Sequence, residues 1–470
     1  MLWSGISRVL GVSFVALAAF SLVQTLIALL IGDEQMLPVF GFMLVLMSFL
    51  AATFLVQVRM KSVGPGTSGG FRNIILLLLC WWLILPFFGG VPFLLDGYNV
   101  ADSWFESVSA LTTTGAWLSV EEATRSNLLM LWRAQLQWLG GLFSLAAIAT
   151  VFIRPDFVGV ESDTAMFSRR AGETYVDSFF STLRGFLPVY LAMTAIVFGV
   201  LLASFAPFFE AATMAMSLMA SGGFLPTEEG AQSYLVSTQI VIFFAMLLSG
   251  INFLAIRNTF GRQQKNFSFA RDRETQAFLL CALVAMVIFA LTAGSDSFPR
   301  LPNQLFNAVS VLSTNGVVTG NEPALVAVLV VAVIGGASIS TAGGLKLLRW
   351  LATMERAGQE VWMLIHPRGV PDKQKAANEL AIWIHYMCFA ILLAVLVLIV
   401  TAFGYPLEIG ITAAVASLTN AGPLLTLVAD NADYQKFDPI LRIVMGLTMI
   451  IGRLETVAAL VLLNRYFWKA

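Results

Sequence analysis

Apolar runs of roughly bilayer width recur along the chain. Between successive pairs of them lies a shorter, half-apolar run that ends in small polar residues and a glycine. Two apolar stretches, about 9–31 and 38–58, predict an opening pair of helices separated by Asp33 and Glu34. A loop with Arg59, Lys61, Gly64-Pro65-Gly66 and Arg72 follows. The pattern of apolar helix, short helix, glycine run and second apolar helix then appears four times. It covers about 73–95, 102–111, 112–116 and 126–152; then 185–206, 208–218, 219–224 and 234–256; then 275–293, 303–312, 313–317 and 322–350; and last 377–403, 407–418, 419–423 and 437–467. The short helices cannot cross ~30 Å of hydrocarbon. They are predicted to be re-entrant, because non-helical backbone at membrane depth survives only inside protein or along a wet cavity.

The glycine runs are Thr112-Thr113-Thr114-Gly115, Met219-Ala220-Ser221-Gly222, Ser313-Thr314-Asn315-Gly316 and Thr419-Asn420-Ala421-Gly422. Their glycines recur at intervals of 107, 94 and 106 residues, as one unit repeated four times would give. The expected units are 63–160, 161–265, 266–365 and 366–470, after a pair of extra helices in 1–62. Four such loops in one chain suit a cation filter, in which a ring of carbonyls replaces the ion's hydration shell. Glycine lets successive carbonyls turn toward one axis, since it adopts φ > 0 without a Cβ penalty. Each short helix also brings its partly negative C-terminal end toward the bilayer centre, which favours a desolvated cation. Serine precedes the loop glycine by six residues in repeats one (Ser109) and three (Ser310), and by five in repeats two (Ser217) and four (Ser417). The plainer reading of these glycines is close helix packing.

Composition agrees with a polytopic membrane protein. The hydrophobic fraction is 58%, charged residues make up 12%, and mean hydropathy is +0.83. No dense basic or basic-aromatic run suggests nucleic acid as a partner. Ala16-Leu17-Ala18 resembles a signal-peptide cleavage site, but the apolar run continues past it for a bilayer width, so a retained helix is expected. Cys80, Cys281 and Cys388 lie in apolar stretches without metal-ligand spacing, and neither His366 nor His385 completes a metal site. The loops at 154–184, 257–275 and 351–377 hold no phosphate-binding glycine motif, so nucleotide control has to come from another chain.

Charge sets the expected orientation. Of 27 Lys and Arg, only Arg125, Arg133, Arg300, Lys436 and Arg442 fall on the glycine-loop side, which predicts that side outside the cell. The same side carries Asp96, Asp102, Glu106, Glu121, Glu122, Glu210, Glu228, Glu229, Glu322, Asp430, Asp433 and Asp438. They are expected either to concentrate cations at the entrance or to be ordinary solvated loop acids. Arg133 and Glu210 are read as local braces rather than ion ligands.

Two further features interrupt apolar helices. Gly335-Gly336-Ala337-Ser338-Ile339-Ser340-Thr341-Ala342-Gly343-Gly344 cannot hold a stable helix inside an apolar segment, and predicts a break below the filter. Ser338, Ser340 and Thr341 can satisfy the freed backbone groups, with Lys346 holding the far end; a glycine-rich packing face is the alternative. Arg453 stands near the middle of the last apolar stretch, where a charge faces a cavity or a partner such as Glu455.

These residues carry a resemblance over nearly the whole chain. Leu111-Thr112-Thr113-Thr114-Gly115-Ala116, the stretch from Gly335 through Leu345-Lys346, Gly452-Arg453-Leu454-Glu455 and the Phe467-Trp468-Lys469 ending are similar to the TrkH/KtrB/HKT superfamily of potassium transporters. The two extra N-terminal helices point to its TrkH branch. The resemblance implies an all-α polytopic membrane protein with four helix–pore-loop–helix repeats around one pseudo-fourfold pore. It implies potassium uptake, with K+ as the transported ion, no organic cofactor and no enzymatic activity. The four loops become the filter, Gly335–Gly344 with Lys346 a gate, and Arg453 a barrier in the pore. A homodimer in the lipid of a bacterial inner membrane, regulated by a cytosolic nucleotide-binding TrkA-like subunit, is also implied. A sodium- or proton-coupled potassium symporter and a less selective K+/Na+ pathway remain open. A coupled transporter of another solute fits less well, since the repeats share one orientation and no carboxylate except Glu455 sits mid-helix. An intramembrane serine protease built on Ser338 and His385 lacks an evident third group.

Overall fold

The structure is a computed structural model that describes residues 2–60, 71–118, 126–152, 174–227, 230–260, 272–292, 301–317, 319, 323–366, 373–428 and 433–454. The described elements are helical throughout. Helices α1 (Leu2–Ile31) and α2 (Met36–Met60) form a hairpin, and α1 packs on the first repeat. Polar bonds fix that docking inside an apolar interface. Trp81 Nε1 donates to Ser13 Oγ at 2.7 Å and Gln24 Nε2 donates to Gln135 Oε1 at 3.1 Å, while outside that interface the half-exposed Arg8 ties α1 to the second repeat, pairing with Asp177 at 2.8 Å.

The fourfold pattern follows. The first unit is α3 (Phe71–Gly89), α4 (Val91–Leu95), the short α5 (Val100–Leu111) and α6 (Asn127–Ala147), which runs into a π-turn at Ile148–Phe152. The second is α7 (Tyr175–Ala203), the short α8 (Phe208–Met219), α9 (Val236–Gly250) and α10 (Phe253–Phe260). The third is α11 (Arg273–Thr292), the short α12 (Leu301–Leu312), α13 (Leu325–Ile334) and α14 (Leu347–Ile365). The fourth is α15 (Lys373–Ala402), the short α16 (Leu407–Leu418), α17 (Leu424–Val428) and α18 (Pro439–Arg453).

Local chemistry sets the starts of the short helices. The Asn99 side chain accepts from Asp102 N–H ahead of α5, Pro207 and Pro406 precede α8 and α16, and Pro302 is the second residue of α12. Proline costs nothing at a helix start, where its missing N–H would have had no partner. The short helices lie inside the protein: α5 is buried from Ser103 to Leu111 and α16 from Thr412 to Leu418. The long first helices instead expose Ile196, Leu280 and Leu398, side chains suited to lipid.

Six helices are long and apolar enough to cross a membrane by length and composition: 4–31, 36–60, 72–95, 175–203, 273–292 and 382–402. They are the opening pair and the first helix of each unit. The sequence pattern predicted a second apolar helix in each unit, with a break in unit three, and units two and four depart from that. Helix α6 is buried and carries Arg133, Gln135 and Gln137. The 234–256 stretch breaks between α9 and α10, which meet at 94°. The 322–350 stretch breaks as expected between Ile334 and Leu347. In unit four the helix ends at Arg453 with Leu454 as its C-cap, so Arg453 is terminal rather than mid-helix; the remainder of 437–467 lies outside the described residues.

Candidate functional site

The ends of the four short helices share a backbone signature. One residue after the C-cap, each chain adopts a left-handed conformation without a glycine: Thr113 (φ 56), Ser221 (φ 52), Thr314 (φ 56) and Asn420 (φ 53). That conformation costs an L-residue roughly 1–2 kcal/mol. Recurrence at four matching positions therefore marks a geometry the fold enforces. Two residues further on come Gly115 (φ 74), Gly223 (φ 61), Gly316 (φ 69) and Gly422. Gly422 alone lacks the positive φ, and it precedes Pro423, which pushes its neighbour toward extended backbone.

This register corrects the reading of repeat two. Met219 is the last residue of α8, and Ala220-Ser221-Gly222-Gly223 is the stretch that matches Thr112–Gly115. The hydrogen bonds agree. The N–H groups of Thr114, Gly222, Asn315 and Ala421 all donate back to the carbonyl five residues earlier, of Ser109, Ser217, Ser310 and Ala416. The matching glycine in repeat two is thus Gly223, and the repeat-four counterpart of the three serines is Ala416, not Ser417. Two adjacent glycines in Gly222-Gly223 hid the offset from spacing alone.

The loops touch in a closed cycle. A Cβ on Gly115 would run into the carbonyl of Gly222, and one on Gly223 into the carbonyl of Asn315. One on Gly316 would meet the ring of Pro423 at 2.9 Å, and one on Gly422 the backbone of Ala116. Loop one thus meets loop two, two meets three, three meets four, and four returns to one. Loops four and one are tied most firmly. Gly422 N–H donates to Thr114 O at 2.6 Å, and Asn420 Nδ2 donates to Thr114 Oγ1 at 3.0 Å and to Met449 O at 2.9 Å. Tyr434 OH donates to Gly422 O at 2.8 Å.

Buried struts hold the loops from behind. Glu106 on α5 accepts from Leu118 N–H at 2.6 Å and pairs with Arg133 of α6 at 2.7 Å. At the matching place in repeat three, the Asn307 side chain brackets Thr319, accepting from its N–H at 2.9 Å and donating to its carbonyl at 3.0 Å. Glu106 is fully buried, so it belongs to this strut and not to an acidic mouth. Asp102 is likewise engaged, pairing with Arg442 of α18 at 2.6 Å, and Asp438 caps α18 through Ile440 N–H. Arg133 is a brace, as read from the sequence. Glu121, Glu122, Glu228, Glu229, Glu322 and Asp430 lie outside the described residues.

Beneath the loops runs the glycine-rich segment between α13 and α14. It is buried from Gly335 to Ala342 and touches three of the four repeats. Thr341 Oγ1 donates to Met219 O at 3.0 Å, Gly343 N–H to Thr314 Oγ1 at 2.7 Å, and Gly344 N–H to Thr419 O at 3.1 Å. A Cβ on Gly343 would run into Thr419 O. The segment satisfies itself as well: Ser340 Oγ donates to Ala337 O, and Lys346 Nζ donates to the carbonyls of Ser340 and Ala342.

Arg453 covers the remaining side. Gly140 of α6 and Gly452 of α18 each pack on the last carbonyl of their own short helix, Leu111 O and Leu418 O. Arg453 therefore stands where repeat one has Gly141. Its side chain crosses to α6, where Nε donates to Ser144 Oγ at 2.7 Å, and it is buried. Glu455, the partner considered from sequence, lies outside the described residues. No group of three or more His, Cys, Asp or Glu able to hold a metal occurs among the described residues. The polar groups gathered here are carbonyls, hydroxyls and side-chain amides, the ligand type suited to an alkali cation.

The cation transport protein family TrkH matches residues 82–467. The chain is 29% identical over 430 residues to the Trk system potassium uptake protein TrkH of Salmonella typhimurium, spanning 85% of this chain and 86% of that one. It is 28% identical over 511 residues to the protein of the same name from Vibrio parahaemolyticus, across the whole of both chains. The fold is that of the crystal structure of the potassium transporter TrkH from Vibrio parahaemolyticus, with a TM-score of 0.83 over all of both chains at 24% identity. A match of this extent, on a chain with so many apolar helices, makes the protein a multi-pass membrane member of the TrkH family of cation transport proteins, a family of transporters and not of enzymes.

Proposed function

We propose that the chain is the pore-forming subunit of a potassium uptake system, conducting through a channel-like path with a four-loop filter and a gate. The observation that carries the reading is the closed cycle of loop contacts, with a left-handed residue at the same place in each loop. The filter is assigned to Thr112–Gly115, Ala220–Gly223, Ser313–Gly316 and Thr419–Gly422. The segment from Gly335 to Gly344, anchored by Lys346, is the gate, and Arg453 is the barrier beside it. The relatives named as Trk potassium uptake proteins support K+ as the cargo. By the charge distribution the filter opens outward and the broken helices face the cytoplasm of a bacterial cell. A second copy of the chain and a TrkA-like nucleotide-binding subunit are the proposed partners, the latter because a Trk system is named as a system.

A specific observation favours one variation, a less selective K+/Na+ pathway. Thr114 O is engaged by Gly422 N–H and Gly422 O by Tyr434 OH, which leaves fewer carbonyls to surround an ion than four identical loops would offer. Reversal potentials of the purified protein in planar bilayers, under potassium, sodium and rubidium gradients, test both. A potassium-selective current supports the filter as assigned, and equal permeabilities support the variation. Uptake that requires a proton or sodium gradient, with no uncoupled current, would replace the channel with a symporter.

A further inference from the structure

The proposed gate is bonded to a second broken helix. Between α9 and α10 the residues Ile251 and Asn252 leave the helical path, and the glycine-rich segment lies along that break. Ala337 N–H donates to Gly250 O at 2.9 Å, and Phe253 N–H donates to Ile339 O at 2.8 Å. Each interruption thereby satisfies backbone groups that the other left free, which buried polar backbone requires. Glu274, one residue into α11, closes the junction from a third side. Its carboxylate accepts from Ser338 N–H and, at 3.1 Å, from Asn252 Nδ2. Asn252 Oδ1 in turn accepts from Leu254 N–H at 3.0 Å and so opens α10. Both side chains are buried, Glu274 at 7% exposure and Asn252 at 2%.

We propose that Glu274 is a positioning residue that clasps the gate segment to the repeat-two break, so that the gate segment and α10 move together or not at all. The inference rests on the gate reading above. Its basis is that one carboxylate bonds both partners at once. Bonds from N–H groups to a carboxylate are stronger than neutral ones. Releasing the segment from Glu274 leaves Ser338 N–H without this acceptor in a buried place, and parting the repeat-two break from it does the same to the Asn252 amide. Lys346 holds the carbonyl side of the same segment through Ser340 and Ala342, so a carboxylate and an ammonium secure it from opposite ends.

The test uses the full chain in proteoliposomes, with rubidium-86 efflux and the potassium-over-sodium ratio as readouts. A chain shortened within Ser340–Gly343 serves as the reference for a lost gate. Glu274→Ala is expected to raise efflux about fivefold or more with the selectivity ratio unchanged, since no filter residue is touched. Glu274→Gln, which keeps an acceptor for Ser338 N–H, is expected to rise less. Asn252→Ala should also raise efflux, and the double variant Glu274→Ala/Asn252→Ala no further than the larger single change, because both open one clasp. In a background without Cys80, Cys281 and Cys388, Ser338→Cys keeps its backbone N–H and reports exposure; a membrane-impermeant thiol reagent should label it faster when Glu274 is Ala. Parent-level efflux and labelling in a monodisperse Glu274→Ala, beside a leaky shortened chain, overturns the clasp and leaves the gate standing. A shortened chain no leakier than the parent removes the gate, and the clasp with it. If Glu274→Ala does not fold, Glu274→Gln and Asn252→Ala decide by the same readings.

Discussion

Gly223 and Gly222 make a paired test of the filter register. Gly223 has φ +61, so any side chain there begins with a left-handed cost of about 1–2 kcal/mol. A methyl group would then lie 1.4 Å from the carbonyl oxygen of Asn315, a backbone atom of the neighbouring loop. Reaching the 3.4 Å of ordinary contact means parting loops two and three by about 2 Å. Neither loop can absorb that alone, because Asn315 N–H is bonded to Ser310 O and Gly222 N–H to Ser217 O. A ring that opens by this much no longer replaces the hydration shell of a potassium ion. At Gly222 the φ is not left-handed, and the nearest obstacle at 2.5 Å is the far end of the buried Gln137 side chain, whose displacement costs only the long 3.4 Å bond that its Nε2 donates to Gly222 O, not a shift of neighbouring backbone.

Gly223→Ala is therefore expected to lower potassium-selective rubidium uptake about tenfold or more, the factor that 1.4 kcal/mol represents. Gly222→Ala should stay within about threefold of the parent, under 1 kcal/mol on the same scale. Uptake by proteoliposomes under a potassium gradient, with sodium as competitor, measures both. Normal selectivity in Gly223→Ala together with its loss in Gly222→Ala would refute the register and return repeat two to the frame that spacing suggested.

Three other outcomes follow from the same contacts. Gly343→Ala would push its methyl into Thr419 O, so the gate should sit lower and resting rubidium efflux should rise; unchanged efflux would detach the segment from the filter base. Arg453→Ala should raise conductance in bilayer recordings, because a fixed positive charge ~4 Å from a passing cation costs about 4 kcal/mol at an effective dielectric of 20; a lower melting temperature with no gain in current would make Arg453 a structural tie to Ser144 instead. Glu106→Ala leaves Arg133 buried beside an empty place and frees Leu118 N–H, a loss on the order of 3–5 kcal/mol that should lower the melting temperature in detergent; an unchanged melting temperature would show the strut to be dispensable.

Much of this was legible because apolar length and punctuation are direct physical signals. The opening pair, the first helix of each repeat, the four short helices and the break at Gly335 follow from where apolar runs begin, end and lose their helix formers. The break at Gly250–Phe253 was not legible. Ser249-Gly250-Ile251-Asn252 sits in a run apolar enough to pass as one helix, and what bends it lies about 87 residues on, at Ala337 and Ile339. The repeat-two register was hidden by its doubled glycine, and the true marker, left-handed Ser221, has no signature in residue type. Glu106 passed for a surface acid because its partner Arg133 is 27 residues away in another helix.

The contacts also separate what is fourfold from what is not. The loops repeat one geometry, with a left-handed residue, a back-bond over five residues and a contact to the next loop. The second helices diverge below the loops, although Gly140 and Gly452 repeat one packing contact. One carries Gly141 below its loop, another bends by 94°, the third opens into the glycine-rich segment, and the fourth ends on Arg453. A symmetric ring suits recognition of a spherical ion, which has no orientation to match. A backbone segment laid across the axis cannot be symmetric, since only one of four equivalent segments can occupy the centre. The segment proposed as that obstruction draws its bonds from repeats two, three and four, while Arg453 reaches from four to one. On the proposed gate reading, control of the path is assembled from the places where the repeats diverge, and the interlocked breaks at Gly250–Phe253 and Gly335–Lys346 are where a change in one helix would be felt by the gate segment.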